Sequence, residues 1–154
     1  MTRQSQLIAL ASAGSAALLA GAFAFQYIGG LAPCVLCIWQ RWPHAAAVAI
    51  GVLALVLGGR LSPLLGAAST ATAAGIAAFH VGVEQKWWEG LTSCTAGSIE
   101  GISMADLLNP DVIVAAPVRC DAIAWAMMGV SMAGWNMIAS AVLVGIWLLA
   151  ARRA

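Results

Sequence analysis

The sequence predicts an all-α membrane protein, built as an antiparallel bundle of four transmembrane helices. Hydrophobic residues make up 62% of its 154 residues and charged residues only 8%, whereas about 25% of a typical soluble domain is charged. So few charges cannot cover a globular surface in water, and they fall between four long apolar runs. The net charge of +1 gives no reason to expect a nucleic-acid partner. We therefore expect the lipid bilayer as the environment and one membrane domain over residues 1–154.

Each of the four uncharged runs is long enough to cross roughly 30 Å of hydrocarbon as a helix. The predicted spans are about residues 7–28, 42–59, 62–83 and 125–150. The first run exceeds the core of a secretory signal, so we interpret it as a membrane anchor, although Ala22-Phe23-Ala24 imitates a cleavage site and leaves a removable signal as the alternative. Of the three connections between the spans, the first two are short and the third is long, and the short connections favour antiparallel neighbours. The predicted outer loops are about 29–41 and 84–124.

The basic residues orient the predicted bundle. Four of them, Arg3, Arg60, Arg152 and Arg153, would share one side of the membrane, and three, Arg41, Lys86 and Arg119, would lie on the other. Because Lys and Arg are enriched in cytoplasmic segments, we expect both termini in the cytoplasm. All four cysteines then lie in the two outer loops, where an oxidising compartment such as the bacterial periplasm permits disulfides.

The cysteines Cys34, Cys37, Cys94 and Cys120 admit three interpretations from the residues alone. Two static disulfides would suit a structural protein, although a ring as small as Cys34–Cys37 constrains a fold only a little. A metal site is disfavoured because Cys94 and Cys120 are not at ligand spacing. For a redox relay, a helix beginning near Cys34 would place Cys34, Cys37 and Arg41 on one face at the membrane boundary. There Arg41 would favour a thiolate and offer planar donors to a carbonyl oxygen of a lipid-soluble electron carrier, so the structural and redox interpretations both stay open.

Two motifs then resemble the bacterial disulfide bond formation protein B (DsbB) family. Pro33-Cys34-Val35-Leu36-Cys37 followed by Gln40-Arg41 is similar to the first-loop motif of that family, and Pro117-Val118-Arg119-Cys120-Asp121 with Trp125 is similar to its second-loop signature. The close cysteine pair also precedes the wide pair, as in that family. The resemblance covers nearly the whole chain.

The resemblance implies a thiol–quinone oxidoreductase of the bacterial inner membrane. Such a protein would reoxidise a periplasmic thioredoxin-fold thiol oxidase (DsbA-like) and pass the electrons to a membrane quinone, either ubiquinone or menaquinone, with no metal. The rival function from another class is a structural four-span membrane protein with two static disulfides, which predicts slow or no thiol exchange at either pair.

The resemblance also implies roles for single residues. The implied site residues are Cys34, Cys37, Cys94 and Cys120, with Arg41 and His80 as the quinone contacts. A partner thiol would attack Cys94, with Cys120 as its companion, and electrons would then pass to the first pair, whose Cys37 would face the quinone. A rearranged Cys37–Cys94 link is a plausible intermediate. His80 has the alternative of an ordinary interfacial histidine, and the loop segment Ser98–Leu108 is expected to form a short helix on the membrane surface.

Overall fold

The computed structural model describes residues 2–91 and 118–153. Within these ranges lie four long helices and a short hairpin: α1 Arg3–Tyr27, α2 Val35–Leu57, α3 Leu61–Glu84, β1 Ala126–Met127, β2 Val130–Ser131 and α4 Met132–Ala151. All four helices are long and apolar enough to cross a membrane. The predicted class, a four-helix membrane bundle, is therefore confirmed. Cys94 and the segment predicted as a surface helix, Ser98–Leu108, lie outside the described residues.

One end of the bundle, the end that carries both termini, is packed by apolar side chains. Trp147 of α4 is fully buried there with Ile8, Ala54 and Ala67 from the other three helices. A Cβ atom at Gly66 would lie 2.6 Å from Cδ2 of Trp147, so the ring fits only because α3 has a glycine at this position. Small residues at helix contacts are how membrane helices approach closely without a hydrophobic driving force.

At the opposite end, α2 begins at Val35, well before the predicted span near residue 42. The reason is a cap that the span prediction did not include: Sγ of Cys34 accepts a hydrogen bond from the backbone N–H of Cys37 at 3.3 Å. Pro43 lies inside the helix, where its carbonyl oxygen accepts a hydrogen bond from Ser69 Oγ at 2.7 Å. The close cysteine pair is thereby fixed on the first turn of α2.

α4 also starts later than predicted, at Met132 rather than near residue 125. The intervening residues form the hairpin, in which β1 pairs antiparallel with β2. Its two turn residues, Met128 and Gly129, have positive φ values of 53° and 77°, as a tight hairpin turn requires. Ser131 then caps α4 and donates a hydrogen bond to Glu84 at the end of α3. This contact ties α3 to α4 at the end of the bundle where the cysteines lie.

Candidate functional site

Cys34 and Cys37 form a dithiol in which Cys34 is buried and Cys37 is partly buried. Both are free thiols, and Cys34 Sγ donates a hydrogen bond to Cys37 Sγ across 2.9 Å, a separation well beyond the roughly 2.05 Å of a disulfide bond. This hydrogen bond and burial raise the pKa of the Cys34 thiol, even though Cys34 caps a helix N-terminus, a position that favours negative charge. Cys34 therefore keeps its proton and donates the hydrogen bond, which Cys37 Sγ accepts.

Cys120 lies beside this dithiol. It is fully buried in one cluster with Cys34, Leu36 and Val83, and it is part of a disulfide. His80 joins the two loops, because its Nε2 lies 3.7 Å from Cys34 Sγ and 3.2 Å from the carbonyl oxygen of Cys120. The structure thus brings Cys34, Cys120 and His80 together.

Arg41 is fixed entirely by contacts from α1. Its Nη1 donates to Gln26 Oε1 at 2.6 Å and its Nη2 to the carbonyl oxygen of Ala22 at 3.5 Å. Its guanidinium carbon lies 4.9 Å from the centroid of the Phe23 ring, a cation–π distance. Its Nε is buried and has no hydrogen-bond partner within the described ranges. No sequence motif pairs Arg41 with Gln26, although a lone amide in an apolar span was the available signal.

A cavity of about 290 Å³ opens between the helices at this end, close to the lower limit of typical ligand pockets. Both thiols of the dithiol line it, together with Arg41 and the aromatic rings of Trp125 and Trp135. The remaining lining is mostly apolar. Glu84 and Arg119 add one negative and one further positive group to the lining. An apolar slot with a dithiol and the Arg41 cation suits a flat, apolar molecule with polar oxygens at its edge.

A chain of polar side chains continues from His80 into the bundle; we call it the amide network. Gln40 Nε2 lies 2.9 Å from His80 Nδ1, and Asn136 Nδ2 donates to Gln40 Oε1 at 2.6 Å. His44 Nε2 lies 3.0 Å from Asn136 Oδ1 and 3.3 Å from Ser140 Oγ. Only His80 of these five was singled out from the sequence as a site residue, although polar side chains inside otherwise uncharged spans were a usable signal.

The amide network fixes where the hydrogens of both histidines lie. An amide nitrogen only donates, and Gln40 Nε2 also donates to the carbonyl oxygen of Leu36 at 3.2 Å. His80 Nδ1 must therefore accept, which leaves the ring neutral with its hydrogen on Nε2, toward the carbonyl oxygen of Cys120 and Cys34 Sγ. By the same logic, Asn136 Nδ2 donates to Gln40 Oε1, and Asn136 Oδ1 accepts a hydrogen bond from the Nε2–H of His44. The other nitrogen of His44, Nδ1, is buried without a partner within the described ranges.

Cys34, Cys37 and His80 also have the geometry of a possible metal site. One potential ligand atom from each lies within 4.8 Å of the others. A ligating histidine presents a lone pair to the metal and normally donates its second N–H to a neighbour. His80 has the opposite arrangement, since Gln40 donates to its Nδ1. The amide network therefore disfavours a metal here.

The segment next to Cys120 is held by an ion pair between its two neighbours. Arg119 Nη2 lies 2.6 Å from Asp121 Oδ2. The hydrogen bond from Arg119 keeps the pKa of the Asp121 carboxyl below its usual value. Cys120 is thus flanked by one positive and one negative charge that neutralise each other at neutral pH.

The fold and the site define a multi-pass membrane protein with a dithiol next to a further cysteine, the arrangement of a membrane disulfide oxidoreductase. Residues 4–150 match the family model described as "Disulfide bond formation protein DsbB", and the chain belongs to this family. It is 32% identical to the Disulfide bond formation protein B of Azoarcus sp. (strain BH72), over 90% of this chain and 87% of the relative. It is 33% identical to that of Methylococcus capsulatus (strain Bath), over 80% of this chain and 79% of the relative. No solved structure matches the chain.

These comparisons confirm the family that the sequence motifs resemble. The protein is therefore a disulfide bond formation protein of a membrane.

Proposed function

We propose that the protein is a protein-disulfide:quinone oxidoreductase of the bacterial inner membrane, with its cysteines on the periplasmic side. It reoxidises a periplasmic DsbA-like thioredoxin-fold oxidase and passes the electrons to the membrane quinone pool, ubiquinone or menaquinone. The observation that carries the proposal is the cavity that the Cys34–Cys37 dithiol shares with Arg41. A static structural disulfide has no need of such a cavity.

The partner side of the proposed reaction is thiol–disulfide exchange. A thiolate of the partner attacks Cys94 in the loop disulfide, which forms a partner–Cys94 bond and releases Cys120 as a thiolate. Cys120 then attacks Cys34 in the oxidised Cys34–Cys37 pair, and Cys37 leaves as a thiolate. The packing of Cys120 and Cys34 in one buried cluster supports this attack, and a rearranged Cys37–Cys94 link stays a further possible intermediate. The second thiol of the partner then attacks the partner–Cys94 bond, which completes the partner's own disulfide and releases Cys94 as a thiolate. Cys94 attacks Cys120 in the Cys120–Cys34 bond, which restores the loop disulfide and leaves Cys34 and Cys37 as a dithiol. Each exchange forms one S–S bond and breaks another.

His80 is suited to assist this exchange. Its Nε2–H lies 3.7 Å from Cys34 Sγ, where it can donate a hydrogen bond to negative charge that develops on the sulfur. Gln40 holds the ring in this tautomer from the other side. We therefore assign His80 to the dithiol rather than to the interfacial role that its sequence position also allows.

The quinone side of the reaction depends on Cys37 and Arg41. The positive charge of Arg41 stabilises negative charge on Cys37, one helical turn earlier on α2. The buried Nε–H of Arg41, which has no protein partner within the described ranges, fits a quinone oxygen, and the apolar lining of the cavity fits the ring. When bound, the quinone supplies the acceptor for two electrons and two protons, which regenerates the Cys34–Cys37 disulfide and yields quinol.

The decisive experiment measures quinone reduction in membranes that contain the protein and a reduced thioredoxin-fold partner. We expect turnover in the wild type and loss to background in Cys34→Ser and Cys37→Ser. Ser15→Ala is the matched control, because Ser15 is buried in α1 away from the cavity lining. Full activity in either cysteine variant would contradict the relay. A wild type that neither exchanges thiols nor reduces quinone would favour the structural alternative with two static disulfides.

A further inference from the structure

We propose that His44 is a second polar contact for the quinone and that it distinguishes the reduced from the oxidised form. Its Nδ1 accepts a hydrogen bond from a hydroxyl group of quinol, which quinone does not have. The inference rests on the proposed quinone function and deepens it, since it assigns recognition of the product to a residue on the next turn of α2 after Arg41.

The first observation is a buried acceptor that lacks a donor. His44 is 3% exposed, it lines the same cavity as Arg41, and its Nδ1 has no partner within the described ranges. Buried polar atoms without a hydrogen bond are rare, because they lose their hydration and gain nothing in return. Three other described atoms are in this state: Ser15 Oγ and Trp147 Nε1 belong to residues outside the cavity lining, whereas Arg41, whose Nε is unpaired, lines the cavity as His44 does. Two such atoms beside one cavity indicate a ligand with two polar groups.

The second observation is that the protein determines the chemical character of each atom. Arg41 Nε carries a hydrogen and can only donate. His44 Nε2 donates to Asn136 Oδ1 at 3.0 Å, whose orientation is set because Asn136 Nδ2 donates to Gln40 at 2.6 Å. The hydrogen of the neutral imidazole is thus used on Nε2, and Nδ1 is left as an acceptor. A hydrogen on both nitrogens would place a second cation next to Arg41, and no acidic side chain within the described ranges forms an ion pair with His44.

The donor on Arg41 and the acceptor on His44 do not suit quinone and quinol equally well. Quinone oxygens only accept hydrogen bonds, so they can pair with Arg41 Nε but not with His44 Nδ1. Quinol hydroxyls both accept and donate, so they can pair with both residues. The site therefore binds quinol more tightly than a site without His44 would, and this differential affinity favours transfer of the two electrons and two protons from the dithiol to the quinone.

The amide network is a support for this contact and does not conduct protons. Gln40 and Asn136 stand between His80 and His44, and carboxamides do not release a proton at ordinary pH. Asn136 is thus a positioning residue, which holds the His44 ring in the required tautomer. Protons for the quinone oxygens must enter the cavity by another route.

The test compares binding of a short-tailed quinone and of the corresponding quinol to the purified full-length protein. The quenching of tryptophan fluorescence reports binding, because Trp125 and Trp135 line the cavity. In His44→Leu we expect quinol affinity to fall about tenfold, the typical effect of one buried hydrogen bond, and quinone affinity to change less than twofold. His44→Gln supplies a new acceptor oxygen and should restore part of the quinol affinity. Asn136→Leu should shift the ratio of the two affinities in the same direction as His44→Leu.

Ser69→Ala is the matched control, since Ser69 contacts α2 at the carbonyl oxygen of Pro43 but does not line the cavity. It should leave both affinities unchanged. If His44→Leu and His44→Gln both weaken quinone and quinol equally, or leave their ratio unchanged, the inference is wrong while the proposed quinone function stands. If the wild type binds neither form, the proposed quinone function fails as well.

Discussion

Replacing Arg41 with lysine isolates the contribution of the guanidinium fork from that of its charge. The fork uses Nη1 on Gln26 at 2.6 Å and Nη2 on Ala22 at 3.5 Å, while Nε has no partner within the described ranges. A lysine ammonium keeps the charge but cannot hold both α1 contacts and still present a donor at the position of Nε. The variant should therefore lose one charge-assisted hydrogen bond to the quinone, about 1.5–3 kcal/mol. At about 1.4 kcal/mol per tenfold change, the KM for quinone should rise about 10- to 100-fold.

The assay is quinone reduction in proteoliposomes at fixed, saturating reduced partner and varied quinone concentration. A second measurement, single-turnover oxidation of the partner by the loop disulfide, should not change, because Arg41 contacts α1 and not the Cys120 cluster. The matched control is Arg60→Lys, an exposed arginine at the start of α3 at the opposite end of the bundle. It should behave as the wild type in both measurements.

Two outcomes would refute the reasoning about Arg41. A quinone KM within about twofold of the wild-type value would mean that the free Nε–H does not bind the quinone. A proportional loss of partner oxidation would mean that the substitution disturbs the fold rather than the quinone contact. Gln26→Leu separates these cases further, since it loosens Arg41 without removing it and should raise the quinone KM by less than Arg41→Lys does.

The remaining predictions concern packing and thiol reactivity. Gly66→Ala should lower the stability of the bundle by about 1–3 kcal/mol in thermal unfolding, because the added methyl would overlap the buried ring of Trp147. The control is Gly75→Ala, which should not destabilise the bundle because its added methyl meets nothing within 4 Å. In the reduced protein at pH 8, maleimide should react slowly with Cys34, because the hydrogen bond to Cys37 raises the pKa of the Cys34 thiol and leaves little thiolate. Cys37→Ala removes this hydrogen bond, so the pKa should fall and the reaction should become faster at the same pH; a slower reaction would contradict the assignment.

The sequence was sufficient for the number and type of helices, because uncharged runs of membrane-spanning length have few alternatives. Their starts were harder to predict. The early start of α2 depends on Cys34 acting as an N-cap, a role that is more typical of serine, threonine or aspartate. The late start of α4 depends on a hairpin whose turn requires a positive φ at Met128, and nothing about a methionine predicts that conformation.

The residues of the candidate site that belong to one linear motif could be predicted from the sequence. The contacts that depend on packing between helices could not. Cys34, Cys37 and Arg41 are close in sequence, and helical spacing alone places them together. The pairing of Arg41 with Gln26 requires the rotation of α1 about its axis, and α1 has no clear apolar face to set that rotation because nearly all its residues are apolar. The contact between His44 and Asn136 likewise joins residues on different helices, and no single-helix pattern determines it.

The two ends of the bundle hold together by different means, and this affects how variants must be tested. In a bilayer no hydrophobic force drives helices together, so shape and polar contacts must do it. At the end with the termini the packing of Trp147 against small residues suffices. At the cysteine end the amide network joins α2 to α3 and α4, and Arg41 joins α2 to α1. The side chains that orient the reactive groups are therefore also the side chains that fix the rotation of α2.

A loss of activity in a network variant is consequently ambiguous, because a shifted helix and a lost hydrogen bond to the ligand both reduce turnover. The ambiguity disappears when the measurement compares two states of one ligand. A shift of α2 would weaken the binding of quinone and quinol together, since both share the ring and the apolar lining. Only the loss of an acceptor for a hydroxyl hydrogen separates the two affinities. The ratio of quinol to quinone affinity therefore tests the role of His44 even in a variant whose bundle is partly loosened.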